Sequence, residues 1–248
     1  NWDHAWDAAL VERAGQGGRI PRISWQPHRQ AVGDIAEGRY DAYIRSWAAG
    51  ARAYGETLYL RPFPEMNGDW VSWNGEPEAL KRAWRRMAML FELEGAENVR
   101  WVWSPNVTDS PRTPENRMEN YYPGEAYVDV LALDGYNWGL ERPWSRWTRF
   151  EEVFAEPYER VARLGPQPIW FAELASTEAG GDKGEWVEEM LESRAFPRLE
   201  AIVWFSEDKG VDWRIQSSQG SVAAFREFFA ASPTALEALA HSPSRPAP

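Results

Sequence analysis

Two glutamates accompany short apolar segments that have the composition of buried β-strands. Glu65 comes shortly after the apolar run 58–61, and Glu173 is the last residue of the run 169–173. Tryptophan is abundant, with 16 among 248 residues. Hydrolysis of a glycosidic bond needs a carboxylic acid that protonates the departing oxygen and a carboxylate that attacks the anomeric carbon or activates water. Because the flat face of an indole suits the apolar face of a sugar ring, these residue types indicate hydrolysis of a polysaccharide.

The two glutamates can act together only if the fold brings the ends of their strands to one place. The segments between the apolar runs are long enough for a helix and two loops, and several have one apolar face. No GxGxxG motif follows any run, which disfavours an open doubly wound sheet. The alternation predicts an α/β fold, a (β/α)8 TIM barrel, in which the ends of parallel strands form one rim. The runs are residues 20–25, 58–61, 99–103, 128–133, 169–173 and 202–205.

Six runs are two fewer than a TIM barrel requires. Residues 2–14 have a helical pattern and lead directly into the first run, so we predict that the first two strands lie before Asn1. We predict an N-terminally trimmed catalytic domain over residues 1–238 and a Pro/Ser-rich linker or tail over residues 239–248. The linker composition suggests an appended module, and we expect the protein to be a monomer.

The composition restricts the partners and the chemistry. The net charge of −11 opposes binding to nucleic acid or to an anionic membrane, whereas a neutral polysaccharide or oligosaccharide is not repelled. The chain has no cysteine and 3 histidines, which excludes thiolate metal sites and disfavours a histidine-rich one. We therefore expect neither a metal nor an organic cofactor. A polymeric substrate implies an extracellular location, although the chain as given opens without a signal-like stretch.

For Glu65 and Glu173, the ordinary alternative is a salt bridge or a helix cap at the end of a strand. Further candidates lie close to the ends of the predicted strands. Arg61 either pairs with a catalytic carboxylate or forms a structural ion pair. Asn67 either binds a sugar hydroxyl or Glu65, or is simply the turn residue of an Asn-Gly sequence. We assign Trp204 to the sugar that is cleaved, and expect about half of the other aromatic candidates to line the barrel wall instead. The aromatic candidates are Trp70, Trp73, Trp103, Trp138 and Trp204.

Several short blocks, in order between residues 20 and 210, resemble glycoside hydrolase family 26. The blocks are 65–70 with Trp73 after it, 101–106, 122–130, 134–138 and 169–173. The resemblance implies a (β/α)8 barrel with the catalytic acid at the end of the fourth strand and the nucleophile at the end of the seventh. It makes Glu65 the acid/base, Glu173 the nucleophile and Tyr136 the residue that orients the attacking oxygen. With two strands before Asn1, the runs at these glutamates become the fourth and the seventh.

The resemblance and the chemistry of the two glutamates together predict a retaining endo-β-glycanase. We expect a raised pKa for Glu65, an ionised Glu173, and carboxyl groups about 5–5.5 Å apart, as double displacement requires. The first substrate we expect is β-1,4-mannan. The resemblance implies a histidine directly before the acid, and this chain has Pro64 there. The alternatives on the same scaffold are therefore a β-1,3-1,4-glucanase and a β-1,3-xylanase. An alternative of a different class is a non-catalytic carbohydrate-binding barrel.

Overall fold

The structure, a computed structural model, describes residues 2–231, and within them strands and helices alternate along the chain as the sequence predicts. The strands are β1 (Arg22–Trp25), β2 (Leu58–Pro62), β3 (Val99–Trp103), β4 (Val130–Asn137), β5 (Ile169–Ser176) and β6 (Leu199–Trp204). The helices are α1 (Ala8–Gly15), α2 (Val32–Ala36), α3 (Asp41–Tyr54), α4 (Pro77–Leu93), α5 (Phe150–Ala162), α6 (Lys183–Glu192) and α7 (Gln219–Ala231).

The strands form one sheet whose order follows the chain, from β1 to β6. Neighbouring strands run parallel: Leu60 of β2, for example, lies opposite Ile23 of β1 and Trp101 of β3. A doubly wound sheet reverses its strand order at a switch point, whereas a β/α barrel adds each new strand on the same side. The sequential order therefore confirms the predicted barrel topology for the six strands of residues 2–231.

The described residues fall into two compact units. The first contains the residues up to Gly135 together with Phe154–Leu174 and Pro197–Val203, and the second contains Tyr136–Val153, Ala175–Phe196 and the described residues from Trp204 onward. The predicted linker 239–248 lies outside the described residues. The predicted domain boundary at residue 238 also lies outside them and stays a prediction.

The core of the first unit forms on the strands that carry the candidate site. Alternate residues of a strand point to the same face of a sheet, and the buried cluster described here contains only valine and alanine. The ring of Tyr59 packs beside this cluster against Trp170, with 4.4 Å between the ring centroids. The buried cluster consists of Val102, Val130, Ala132 and Ala172.

Helix α4 packs against β3 through one apolar face. Pro77 occupies its first turn, where a missing N–H costs no hydrogen bond, and Gly95 follows its end with a positive φ of 73°. Trp101 of β3 lies 6.0 Å from the ring of Trp84 and 5.2 Å from that of Phe91. This packing fixes the strand that leads to the β3 loop of the candidate site. The buried residues of α4 are Ala79, Leu80, Ala83, Trp84, Met87, Leu90 and Phe91.

The second unit has an aromatic core of its own. Ala175, Val211 and Trp213 are buried there. Four partly buried aromatic residues pack against them, namely Tyr136, Trp138, Trp204 and Phe205.

Across residues 2–231, no helix has the length and apolar character needed to cross a membrane.

Candidate active site

The loop after β2 turns sharply and presents Glu65. Phe63 and Glu65 both have left-handed backbone conformations, with φ of 49° and 56°. Such conformations cost about 1–3 kcal/mol each in a non-glycine residue and persist only where surrounding contacts hold them. Here the Glu65 amide donates to the carbonyl oxygen of Ser104 at 2.8 Å, and the Gly68 amide donates to the carbonyl oxygen of Glu65 at 2.8 Å. The β3 loop and the turn itself thus hold Glu65 in place.

Arg61 of β2 is buried and joins two carboxylates. Its Nη1 donates to Asp134 Oδ1 at 2.8 Å, and its Nη2 donates to Glu173 Oε2 at 2.6 Å. Ser104 Oγ donates to the same oxygen of Asp134 at 2.7 Å. Burial raises the pKa of Asp134 well above its ordinary range, although the charge on Arg61 opposes the shift. A guanidinium bonded directly to Glu173 favours the ionised form of that carboxyl.

Glu65 lies in a different environment, with neutral donors at both oxygens. Asn106 Nδ2 donates to Oε1 at 2.6 Å, and Trp70 Nε1 donates to Oε2 at 2.9 Å. Burial raises the pKa of Glu65, and the negative charge on Glu173 raises it further, while these two hydrogen bonds act in the opposite direction. The shift has the direction expected from the sequence. Desolvation and the charge on Glu173 thus favour the protonated form of Glu65.

The contrast between the two glutamates is what acid and nucleophile roles require. Two carboxyl groups that divide these roles need environments that push their pKa values apart. A cation bonds Glu173 directly, whereas Glu65 is partly buried and is bonded only by neutral donors, and desolvation together with the negative charge on Glu173 raises its pKa. The separation of about 5–5.5 Å that double displacement requires stays a prediction.

Asn67 is buried and ties the β2 loop to the β3 loop. Its Nδ2 donates to the carbonyl oxygen of Asn106 and to Asp109 Oδ1, both at 2.9 Å, and its Oδ1 accepts from the Asn106 amide at 2.8 Å. Asn116 Nδ2 donates to the Asn67 carbonyl oxygen at 2.9 Å. With 0% of its surface exposed, Asn67 stabilises the loop that carries Glu65 and presents no accessible amide to a sugar hydroxyl.

The tryptophans nearest to Glu65 divide by burial. Trp70 is 53% exposed, whereas Trp73 and Trp103 are 1% and 0% exposed. Trp73 Nε1 donates to the carbonyl oxygen of Pro64 at 2.8 Å, and the ring of Trp103 packs edge-on against Tyr122. A fully buried indole offers no face to a sugar, so Trp73 and Trp103 belong with the wall-lining residues. Trp70 stays a candidate platform.

The three remaining candidates all lie in the second unit. Tyr136 and Trp138 pack against Trp213, with ring centroids 5.0 Å and 4.9 Å apart. Trp204 Nε1 donates to the carbonyl oxygen of Trp213 at 2.8 Å, and Lys183 Nζ lies 5.6 Å above the Trp204 ring. All three are partly buried. Their roles as the orienting residue and as sugar platforms stay predictions.

Sequence reasoning gave no role to several residues that the structure brings to the site. Asp134 and Asn106 come shortly after predicted strands, and that position is the feature of the sequence that points to them. Asp109 gave no signal, because it lies in a loop away from a strand end. In residues 2–231, His, Asp and Glu side chains form no group of three that could hold a metal ion.

The sequence of a known family matches this chain. The family model described as glycosyl hydrolase family 26 matches residues 41–169, which is just over half of the 248 residues and includes Arg61, Glu65 and Asp134. The chain belongs to glycosyl hydrolase family 26. The resemblance noted in the short blocks is thereby confirmed, and with it the assignment to the glycoside hydrolases.

Two curated proteins are similar in sequence to this family 26 chain. Endoglucanase H of Acetivibrio thermocellus is 38% identical over 239 residues, which cover 92% of this chain and 26% of that protein. Mannan endo-1,4-beta-mannosidase A and B of Caldalkalibacillus mannanilyticus is 34% identical over 135 residues, which cover 50% of this chain and 23% of that protein. The chain therefore spans about a quarter of the length of the curated relatives it matches.

The fold of the family 26 chain resembles that of a modular endo-beta-1,4-mannanase from Cellulomonas fimi. The TM-score is 0.66 at 18% sequence identity, and the match covers 90% of this chain and 56% of the mannanase chain. At this identity the likeness shows the fold alone. It agrees with the TIM barrel predicted from the alternation of strands and helices.

Proposed function

We propose that this chain is a retaining endo-β-glycanase that hydrolyses a neutral β-linked polysaccharide, with Glu65 as acid/base and Glu173 as nucleophile. The observation that carries the proposal is the difference between the electrostatic environments of the two carboxyl groups. Arg61 donates to Glu173 at 2.6 Å, whereas burial and the charge on Glu173 raise the pKa of Glu65. One carboxyl is thus prepared to attack while the other retains a proton to donate.

In the first step of the proposed reaction, Glu65 gives its proton to the glycosidic oxygen as the bond to the anomeric carbon breaks. An oxygen of Glu173 attacks that carbon from the opposite face and forms a glycosyl-enzyme. Because Arg61 holds Glu173 Oε2, we assign the attack to Oε1, which Tyr136 orients by family resemblance. In the second step, Glu65 takes a proton from water, and the oxygen of that water displaces Glu173 from the sugar.

The first substrate we propose is β-1,4-mannan. Relatives named as mannan endo-1,4-beta-mannosidases support it. A β-1,3-1,4-glucan is the second candidate, and two observations favour it. Endoglucanase H matches 92% of the chain, and Pro64 has no side-chain donor for a sugar hydroxyl, while its carbonyl oxygen is already bonded to Trp73. The match covers only 26% of Endoglucanase H, so that protein's name does not assign its activity to this part. A β-1,3-xylan is the third.

We propose exposed indoles as sugar contacts in each unit separately. Trp70 of the first unit is 53% exposed and Trp144 of the second unit is 72% exposed, and exposed aromatic faces suit stacking against pyranose rings. Trp138 and Trp204 are kept as proposed platforms in the second unit. A substrate of polymer size supports an extracellular location, and the net charge of −11 leaves a neutral polymer as the partner.

The test is hydrolysis of mannan, lichenan and β-1,3-xylan in parallel, with the anomeric configuration of the first product followed by NMR. Retention of configuration is expected. Glu65→Gln should lower kcat/KM by about 10²–10⁴-fold, the usual contribution of a general acid. Glu173→Ala should abolish turnover and be partly rescued by azide. Binding of a polysaccharide without release of reducing sugar would instead support the carbohydrate-binding barrel, and inverted products would refute the nucleophile.

A further inference from the structure

The two side chains that donate hydrogen bonds to Glu65 differ strongly in solvent exposure. Asn106, which donates to Oε1, is 8% exposed, whereas Trp70, which donates to Oε2, is 53% exposed. Glu65 Oε1 therefore faces a buried donor, and Oε2 faces an exposed one.

The orientation of the Asn106 amide is fixed by its second partner. The backbone N–H of Thr108 donates to Asn106 Oδ1 at 2.9 Å. A backbone N–H can only donate, so the oxygen of the amide must face Thr108 and the nitrogen must face Glu65. Asn106 can therefore act only as a donor to Glu65, and a hydrogen bond of 2.6 Å leaves little freedom in its position.

The backbone of Asn106 is held in the same directional way. Asn67 accepts from the Asn106 amide and donates to its carbonyl oxygen, and the same Asn67 nitrogen donates to Asp109 Oδ1. Asp109 Oδ2 in turn accepts from Arg160 Nη2 of α5 at 2.8 Å. Every hydrogen bond in this series has a determined donor and acceptor. The series thus resists a flip of either amide.

We propose that Asn106 is a positioning residue that divides the work of the two Glu65 oxygens: Oε1 stays a hydrogen-bond acceptor throughout the reaction, and Oε2 carries the transferred proton. The inference rests on the proposed function of Glu65 as acid/base. The carbonyl oxygen of a neutral carboxylic acid accepts a hydrogen bond better than its hydroxyl oxygen does. A permanent donor at Oε1 therefore favours the tautomer that has its proton on Oε2.

In both steps the proton leaves or returns to Glu65 at the same atom, Oε2. The O–H bond at Glu65 Oε2 breaks as the proton forms a bond to the glycosidic oxygen, which keeps the electron pair of its bond to the anomeric carbon. The negative charge left on Glu65 is stabilised by Asn106 at Oε1 and by Trp70 at Oε2. When water attacks the glycosyl-enzyme, its proton returns to Oε2.

The test uses two aryl glycosides of the sugar that the protein hydrolyses. A dinitrophenolate leaves without protonation, whereas a phenolate requires it. Asn106→Ala should therefore lower kcat/KM for the phenyl glycoside by about 10²-fold, within the range of a general acid, and leave the dinitrophenyl glycoside within a few-fold of wild type. Asn120→Ala is the matched control, because Asn120 Nδ2 bonds two carbonyl oxygens of the same loop region, those of Pro114 and Glu115. That control should leave both rates unchanged.

A second variant keeps the volume of the side chain and adds a readout in pH. In Asn106→Asp, the introduced carboxylic acid can donate its O–H to Glu65 Oε1 while its other oxygen accepts from Thr108. Once ionised, it loses this donor and repels Glu65. The rate on the phenyl glycoside, relative to wild type, should therefore recover as the pH is lowered. A purely structural role of Asn106 predicts a ratio that does not depend on pH.

The outcomes separate this inference from the proposed function. If wild type hydrolyses no glycoside or polysaccharide, the proposed function fails. If wild type is active and Asn106→Ala loses the same factor on both aryl glycosides, or Asn106→Asp shows no recovery at low pH, the assignment of the proton to Oε2 is overturned. Thermal unfolding of each variant shows whether a uniform loss comes from misfolding, in which case the isosteric Asn106→Asp decides.

Discussion

Replacing Arg61 by methionine tests the electrostatics of the site most directly. The change keeps much of the side-chain volume and removes the guanidinium that bonds Asp134 at 2.8 Å and Glu173 at 2.6 Å. The side chains of Arg61 and Asp134 are 2% and 0% exposed. Water therefore cannot solvate the Asp134 carboxylate in place of the guanidinium. Asp134 and Glu173 are left close together without a cation between them.

The size of the loss follows from these contacts. Two unit charges 4 Å apart attract by about 4 kcal/mol at an effective dielectric constant of about 20, and Arg61 serves two partners. Protonation of Asp134 relieves part of this loss, since burial already raises its pKa well above the ordinary range. Breaking a buried ion pair usually costs about 3–5 kcal/mol. For a chain of this size, that corresponds to a fall in Tm of about 6–20 °C.

The loss should depend on pH with a predictable sign. A carboxyl whose folded pKa lies above its unfolded value stabilises the fold at low pH and loses that contribution as the pH rises through the folded pKa. Without Arg61, the folded pKa of Asp134 rises further. The variant should therefore be most destabilised near neutral pH and approach wild type as the pH falls, which urea denaturation at pH 7 and pH 5 measures.

Arg86→Met is the matched control. Arg86 pairs with Asp41 through two contacts of 2.6 Å, but the two side chains are 30% and 28% exposed. Partly exposed pairs contribute about 1 kcal/mol or less. If Arg61→Met loses no more stability than Arg86→Met at pH 7, or if its loss is the same at both pH values, the reasoning about the buried guanidinium is refuted.

Three further outcomes are expected. Trp70→Phe removes the donor to Glu65 Oε2 and should raise the pKa of Glu65, so that the alkaline limb of the kcat/KM profile moves to higher pH; a shift to lower pH contradicts this. Asn67→Asp places a carboxylate against Asp109 Oδ1 and should cost about 1–3 kcal/mol in urea denaturation. Trp144→Ala should weaken polysaccharide affinity in gel electrophoresis while stability stays within about 0.5 kcal/mol of wild type.

The order of strands and helices could be predicted because local signals encode it, whereas the roles of the two glutamates stay a prediction. Apolar runs with helical segments between them specify the β/α order, and the confirmed sheet order follows from it. The ends of the strands were predicted less accurately than their order. Glu173 was expected at the end of its strand, but β5 continues to Ser176. Hydrogen bonding with neighbouring strands decides where a strand ends, and a single sequence does not contain that information.

Burial of the aromatic candidates could not be predicted, because it depends on a turn of the backbone. Trp70 and Trp73 are three residues apart in one loop, yet one is 53% and the other 1% exposed. The left-handed conformations at Phe63 and Glu65 set the path of this loop, and propensity gives no hint of them. The pairing of Arg61 with Asp134 joins residues 73 positions apart. Only the folded chain brings these charges together.

The sharing of Arg61 between two carboxylates has a consequence for the energetics of the proposed cycle. When Glu65 releases its proton, it gains a negative charge; when Glu173 forms its bond to the sugar, it loses one. The total charge of the cluster formed by Arg61, Asp134, Glu65 and Glu173 is thus the same before and after glycosylation. Charge moves between two carboxyls around a stationary cation, so the surrounding dipoles need little reorganisation at either step.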